Sequence, residues 1–127
     1  MADIPKDLQY TTDHEYVKAT ADPAVVIVGI TDFAQGELGD VVYVELPRPG
    51  ATFDAHAAFG TIEAVKAVSE LFAPLAGEVV DVNGRLDGEP ALVNTDPYGD
   101  GWMIKLRVGA ARAGLLDAAA YAKHVGQ

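Results

Sequence analysis

The segment Phe59-Gly-Thr-Ile-Glu-Ala-Val-Lys66-Ala-Val-Ser-Glu-Leu-Phe-Ala-Pro74 decides the architecture. Its apolar residues, Phe59, Ile62, Val65, Val68, Leu71 and Phe72, keep no single period. Helical spacing of 62, 65, 68 and 72 competes with alternation. The β-branched content, bounded by Gly60 and Pro74, favours two short strands. On that reading Lys66 lies near the reversal between them, on a short tip flanked by small and apolar residues.

Lys66 has acidic neighbours, Glu63 and Glu70, and no second basic residue close in sequence. A solvated turn lysine is the ordinary reading. A lysine with the reference pKa of about 10.4 is neutral only about once in a few thousand at pH 7. Activating one as a nucleophile takes burial or a cationic neighbour, and carboxylates act in the opposite direction. Lys66 therefore reads as unsuited to act alone as a catalytic amine, which leaves open a solvated turn lysine or an acceptor modified by another enzyme.

With 127 residues, the chain fits one domain with a modest core. Half the residues are apolar and 22% are charged, as in ordinary soluble globular proteins. There is no cysteine, which excludes disulfides and cysteine-based metal or nucleophile chemistry. A formal net charge of -10 opposes binding to nucleic acid or anionic membrane and suits docking on basic patches. The first residues carry neither a secretory signal nor an Arg- and Ser-rich transit peptide. The longest apolar stretch, residues 24–30, is too short to span a bilayer. A bacterial cytoplasmic protein is expected, or a mitochondrial matrix one if the chain is a processed organellar form.

Along the chain, residues 1–13 read as a polar arm, and His14-Glu15-Tyr16-Val17 as the start of a first strand with Tyr16 inward. Asp22-Pro23 reads as a turn and residues 25–28 as a buried strand. Thr31 or Asp32 caps a short helix ending near Gly39, with Asp32 and Gln35 at capping-box spacing. Residues 41–46 form a strand stopped by Pro47, Pro49 and Gly50, and 51–58 a loose link. Residues 77–82 form another strand running into the turn signal Asn83-Gly84, then a loop through Pro90. Residues 102–108 alternate as a half-buried strand. The alanine-rich run 110–125 favours a helix packed through Leu115, Leu116, Ala119 and Tyr121. Many short strands with Gly and Pro turns give a mainly β domain, sandwich or barrel, with a short internal helix and a C-terminal one.

Several segments together carry a family resemblance. Glu63-Ala64-Val65-Lys66-Ala67-Val68-Ser69, followed by Pro74-Leu75-Ala76-Gly77-Glu78-Val79, resembles the lipoyl-lysine signature of glycine cleavage system H proteins. His14-Glu15-Tyr16, residues 28–32, Ala34-Gln35 and Leu38-Gly39-Asp40 match upstream in order. Leu92-Val93-Asn94 and residues 96–102 match downstream, so the resemblance covers nearly the whole chain. It implies a lipoyl-domain-like β sandwich over residues 1–127, with a lipoyl-binding region at about 24–107. It implies lipoate in amide linkage to Lys66, and a carrier rather than an enzyme. The carrier would take the aminomethyl group from the P-protein, glycine decarboxylase, to the T-protein, and be reoxidised by the L-protein. Lipoylating enzymes are further implied partners. The alternative within the resemblance is a relay that donates lipoyl groups to other lipoate-dependent enzymes.

The aminomethyl group carries an amine that a cleft carboxylate could hold by a charge-assisted hydrogen bond. Glu15 and Glu70 are the candidates, each weighed against a solvated surface carboxylate. His14 is a candidate weighed against a structural histidine, and Glu63 is assigned to recognition by the lipoylating enzyme. Neither a catalytic residue nor a metal site is assigned. The sequence departs from the family pattern at Tyr16, commonly tryptophan, at Ala64, commonly serine, and at Phe33, frequently histidine or tyrosine. Tyr98 and Trp102 read as core or rim packing. A biotin carrier is disfavoured by Val65 and Ala67 in place of flanking methionines. A hydrolase built on His14, Glu15 and Ser69 lacks a nucleophile elbow. A pure interaction module would leave Lys66 unmodified.

Overall fold

The computed structural model describes residues 2–109 and 114–127. Among these residues nine strands form two antiparallel sheets. The larger contains β1 (Gln9–Tyr10), β2 (Glu15–Ala19), β3 (Val25–Ile30), β5 (Thr52–Phe53), β8 (Gly77–Val82) and β9 (Ile104–Val108), in the order β1-β2-β3-β9-β8-β5. The smaller contains β4 (Val41–Glu45), β6 (Ala58–Ala64) and β7 (Val68–Phe72), in the order β4-β6-β7. Among the described residues no strand pairs across the two, so the sheets face each other as a sandwich and do not close into a barrel.

The core fills the space between them. Val26, Val28, Leu106 and Val79 of the large sheet meet Val44, Ile62 and Leu71 of the small one. β3 reads Val-Val-Ile-Val-Gly-Ile without polar alternation because both of its faces are covered. Val26 and Val28 enter the main core, whereas Ile27 packs on a second cluster behind the sheet. That cluster is built on Leu8, Tyr10, Tyr16 and Tyr121, with Tyr10 and Tyr121 stacked at 4.7 Å. Tyr121 is delivered by α4 (Ala118–His124), whose N-cap Asp117 accepts from the amide of Ala120.

The segment 59–74 is a hairpin, not a helix. β6 and β7 pair with Thr61 opposite Glu70 and Glu63 opposite Val68, and Val65 and Lys66 are the two turn residues. The short internal helix is α1 (Asp32–Leu38). Its cap is Thr31, whose hydroxyl accepts from the amide of Ala34, while Gln35 donates to Asp32 through side chains alone. The expected reciprocal box between Asp32 and Gln35 is therefore a one-turn side-chain pair.

Four expectations change. The arm expected at 1–13 is packed where it is described: Leu8, Tyr10 and Thr11 are buried, and β1 pairs with β2. The link at 51–58 contains β5, which extends the large sheet beyond β8. Asn83-Gly84 does not turn a hairpin. The Asn83 amide group donates to the carbonyls of Asp100 and Trp102, and the chain enters two single-turn helices, α2 (Arg85–Gly88) and α3 (Leu92–Thr95). The helix expected over 110–125 is observed at 118–124. Its expected start at 110–113 lies outside the described residues, and Ala119 is exposed while Tyr121 carries the packing.

Candidate functional site

The hairpin tip is held from outside itself. Two-residue loops between antiparallel strands usually adopt turns with positive φ, which a β-branched residue such as Val65 resists. Neither Val65 nor Lys66 has positive φ here. The turn is closed by bonds between Ala64 and Ala67, and the amide of Val65 donates to the carbonyl of Asp40 at 3.0 Å. That bond ties the tip to the junction between α1 and β4.

The junction is fixed in turn by Asn94 of α3. Its side-chain oxygen accepts from the amide of Val41 at 2.9 Å, and its nitrogen donates to the Gln35 side chain and the Gly39 carbonyl, each at 2.9 Å. Gly39 has φ 80°, and a β-carbon there would stand 3.1 Å from Cε of Lys66. A side chain at 39 would thus be strained and would crowd the lysine stem. Lys66 itself is exposed, and among the described residues no hydrogen bond or ion pair holds it.

Beside the hairpin lies a cleft of about 360 Å³ between α1 and β7. Its lining includes His14, Glu15, Phe33, Glu37, Ser69 and Glu70. Of the residues singled out by sequence, His14, Glu15 and Glu70 meet here, whereas Glu63 and Lys66 sit outside on the hairpin. Glu70 is exposed at the cleft mouth.

Glu15 is not a solvated carboxylate: it is only 1% exposed. Burial pushes its pKa up to about 8, against which the Phe72 amide, donating at 3.4 Å, and the Thr11 hydroxyl, at 3.2 Å, act only partly. It is therefore largely protonated at neutral pH. A cation arriving in the cleft would favour its ionised form, so proton release and amine capture are coupled at this side chain.

The raised value also predicts a pH dependence of stability. Because the folded state binds this proton more tightly than the unfolded one, the contribution is full below about pH 4.5 and is lost as pH rises through about 8. Glu15→Gln, neutral throughout, keeps both hydrogen-bond partners in reach. It is expected to melt progressively higher than the native chain between pH 5 and 9, by the equivalent of a few kcal/mol. Parallel melting curves over that range would show that the group is not protonated by burial.

His14 sits at φ 69° with its ring against Phe33 at 5.1 Å. Its Nδ1 is 2.8 Å from the Tyr121 hydroxyl, which also lies 2.7 Å from Oγ1 of Thr31. Burial, reinforced by His124, lowers the His14 pKa. One buried tyrosine on α4 thus joins the cap of α1 to His14 in the cleft lining. Sequence reading placed Tyr121 in the core but missed this role, as it missed Thr11 and Asn94. No spacing rule links residue 121 to residues 14 and 31.

Facing antiparallel sheets, with a tethered hairpin turn holding out an exposed lysine, make a β sandwich built to present one amine to solvent. Comparison with known proteins narrows the class. The chain belongs to the glycine cleavage H-protein family, whose family model matches residues 8–127. It is 56% identical over 126 residues to the glycine cleavage system H protein of Chlorobium limicola, covering 98% of each chain. It is 51% identical over 130 residues to that of Mycolicibacterium vanbaalenii, again with 98% of each covered. The crystal structure of a glycine cleavage system H protein from Mycobacterium marinum superimposes with a TM-score of 0.89 at 41% identity, covering 98% of this chain and 100% of that one. Among the described residues no helix is long and apolar enough to cross a membrane, and no group of three or more His, Asp or Glu could hold a metal.

Proposed function

We propose that the chain is the lipoyl-bearing shuttle of glycine cleavage, working as one domain over residues 1–127 with its arm-bearing region at about 24–107. The observation that carries this reading is the exposed Lys66 on a turn tethered to the body beside a partly apolar cleft. A carrier needs its acceptor fixed at the base and free at the end, so that one arm reaches several active sites. The residues present fit lipoate: amide formation at Lys66 removes an ammonium that has no partner to lose, and leaves a neutral arm able to lie on apolar surface.

Held on Lys66, a lipoyl group would supply a dithiolane able to carry an aminomethyl group from the P-protein to the T-protein and to be reoxidised by the L-protein. The protein's own part is to present, hold and shield. Lys66 presents the arm, and Phe33 and the apolar cleft floor exclude water. Glu15 gives up its proton to hold the incoming amine, with Glu70 adding negative charge at the mouth. His14 fixes one wall, and Glu63 faces the lipoylating enzyme. Such a protein works in the bacterial cytoplasm, or in the matrix if it is organellar, with protein partners and no nucleic acid or membrane.

The test is a comparison of two activities of the lipoylated chain. Support for glycine decarboxylation by the P-protein, with transfer to the T-protein, is expected to exceed donation of its lipoyl group to an acyltransferase lipoyl domain. The reverse ranking would make the chain a lipoyl relay. Glu15→Gln is expected to hasten hydrolytic loss of the aminomethyl group, and an unchanged rate would remove Glu15 from this role.

A further inference from the structure

The hydrogen bonds that join α1, α4 and His14 have a direction. Thr31 and Tyr121 are both fully buried, so each hydroxyl proton needs an acceptor inside the protein. Oγ1 of Thr31 already accepts from the amide of Ala34. Its own proton has the Tyr121 oxygen, 2.7 Å away, as its one acceptor among the described residues. The Tyr121 oxygen therefore accepts from Thr31 and donates to Nδ1 of His14 at 2.8 Å. Burial pushes the Tyr121 phenol up to about 12, so that proton stays in place at any working pH. With Nδ1 accepting, the proton of the neutral His14 ring sits on Nε2.

The same chain of donors opposes charging of His14. An imidazolium carries a proton on Nδ1 as well. That proton would meet an oxygen already accepting from Thr31 and holding a proton of its own, which would then lack an acceptor. Reversing the bond to Thr31 would strand the Thr31 proton instead, and a buried donor left unpaired is costly. The charged groups around the ring pull both ways. Asp13, itself 3.4 Å from His56, and Glu15 flank His14 in the chain, Glu37 faces it from α1, and Glu70 stands on β7 in the cleft lining. Their negative charge favours an imidazolium, whereas His124 on α4, with its ring 5.7 Å away, disfavours one.

We infer that Tyr121 is a positioning residue for capture of the aminomethyl amine: its hydroxyl fixes His14 as the neutral tautomer protonated on Nε2, and so keeps positive charge off the cleft wall beside Glu15. The inference rests on the carrier reading. His14 and Glu15 are consecutive, and both line the cleft. An imidazolium there would become the counter-ion of the Glu15 carboxylate and would repel an arriving ammonium. A neutral ring reserves that carboxylate for the amine. Tyr121 lies outside the cleft lining and acts through His14.

The experiment uses the full chain, free of lipoate, with nitrogen-labelled histidines followed by NMR. Native His14 is expected to carry its proton on Nε2, to show the Tyr121 hydroxyl proton coupled to Nδ1, and to titrate below the ordinary histidine value of about 6.5. Tyr121→Phe is expected to give a mixture of tautomers and a protonation constant about three- to tenfold larger. Tyr10→Phe takes a phenol from the same buried cluster, one that donates to the Pro5 carbonyl and stacks on Tyr121. It is expected to lower Tm and leave the His14 signals native, which is also what a purely structural Tyr121 would do. Unmoved tautomer and titration in Tyr121→Phe would overturn the inference. Should that variant fold poorly, the native chain decides alone: the coupled hydroxyl proton supports the inference, and a proton on Nδ1 at neutral pH overturns it. On the lipoylated, aminomethyl-loaded chain, Tyr121→Phe is expected to hasten hydrolytic loss several-fold at about pH 6, with the excess shrinking toward about pH 8. A native pH profile there would overturn the positioning role while the tautomer stands. A native chain that takes no lipoate on Lys66 would bring down the carrier reading, and this role with it, leaving the His14 signals as they are.

Discussion

Lys66→Arg is expected to abolish glycine cleavage in a reconstituted system while leaving the fold untouched. A guanidinium stays protonated at any working pH and cannot be acylated in place of an amine. The side chain at 66 is exposed and makes no hydrogen bond or ion pair among the described residues, so its replacement removes no native contact of consequence. Tip geometry depends instead on backbone bonds, between Ala64 and Ala67 and from Val65 to Asp40, which the substitution leaves in place. The guanidinium stem still passes the open face of Gly39. Native circular dichroism and melting temperature with activity at the detection floor are the expected result. Loss of folding would show that Lys66 is part of the framework, and retained turnover would move the acceptor elsewhere.

The second large effect concerns the framework. Gly60 lies on β6 where the chain bulges between Ala58 and Gly60, and a β-carbon there would press into the carbonyl oxygen of Glu45 on β4. The obstacle is backbone of a neighbouring strand, which cannot swing aside as a side chain can. Gly60→Ala is expected to cost about 3 kcal/mol, the upper part of the range for overpacking, and to lower Tm by roughly 10 °C for a domain of this size. Gly36→Ala is the matched control. Gly36 lies within α1, and nothing stands within 4 Å of its added carbon. It is expected to gain up to about 1 kcal/mol from helix propensity alone. Opposite signs at the two glycines would confirm that β4 and β6 approach too closely for a side chain. Equal, small effects would contradict that packing.

The strands and the hairpin were legible because their signals are local. Residues 77–82 and 104–108 carry β-branched runs between turn residues, and the Gly60 and Pro74 boundaries mark the hairpin. The reading of Lys66 as an acceptor came from the resemblance, since composition alone gives a solvated turn lysine. What sequence missed is non-local. Residues 1–13 look polar, yet Leu8 and Tyr10 are buried by α4, more than a hundred residues away. Asn83-Gly84 has the form of a hairpin turn, but the amide of Asn83 is taken by carbonyls of residues 100 and 102. Glu15 could be placed near a cleft but not known to be protonated, because its burial arises from Thr11 and the β7 backbone closing over it.

Peptide-resolved mass spectrometry of the chain, recovered from cells able to make lipoate, tests the central claim most directly. The chain has five lysines, at 6, 18, 66, 105 and 123. The account predicts one lipoyl amide, on the peptide containing Lys66, with the other four unmodified. A bare Lys66 in such cells, or lipoate on any of the other four lysines, would contradict it.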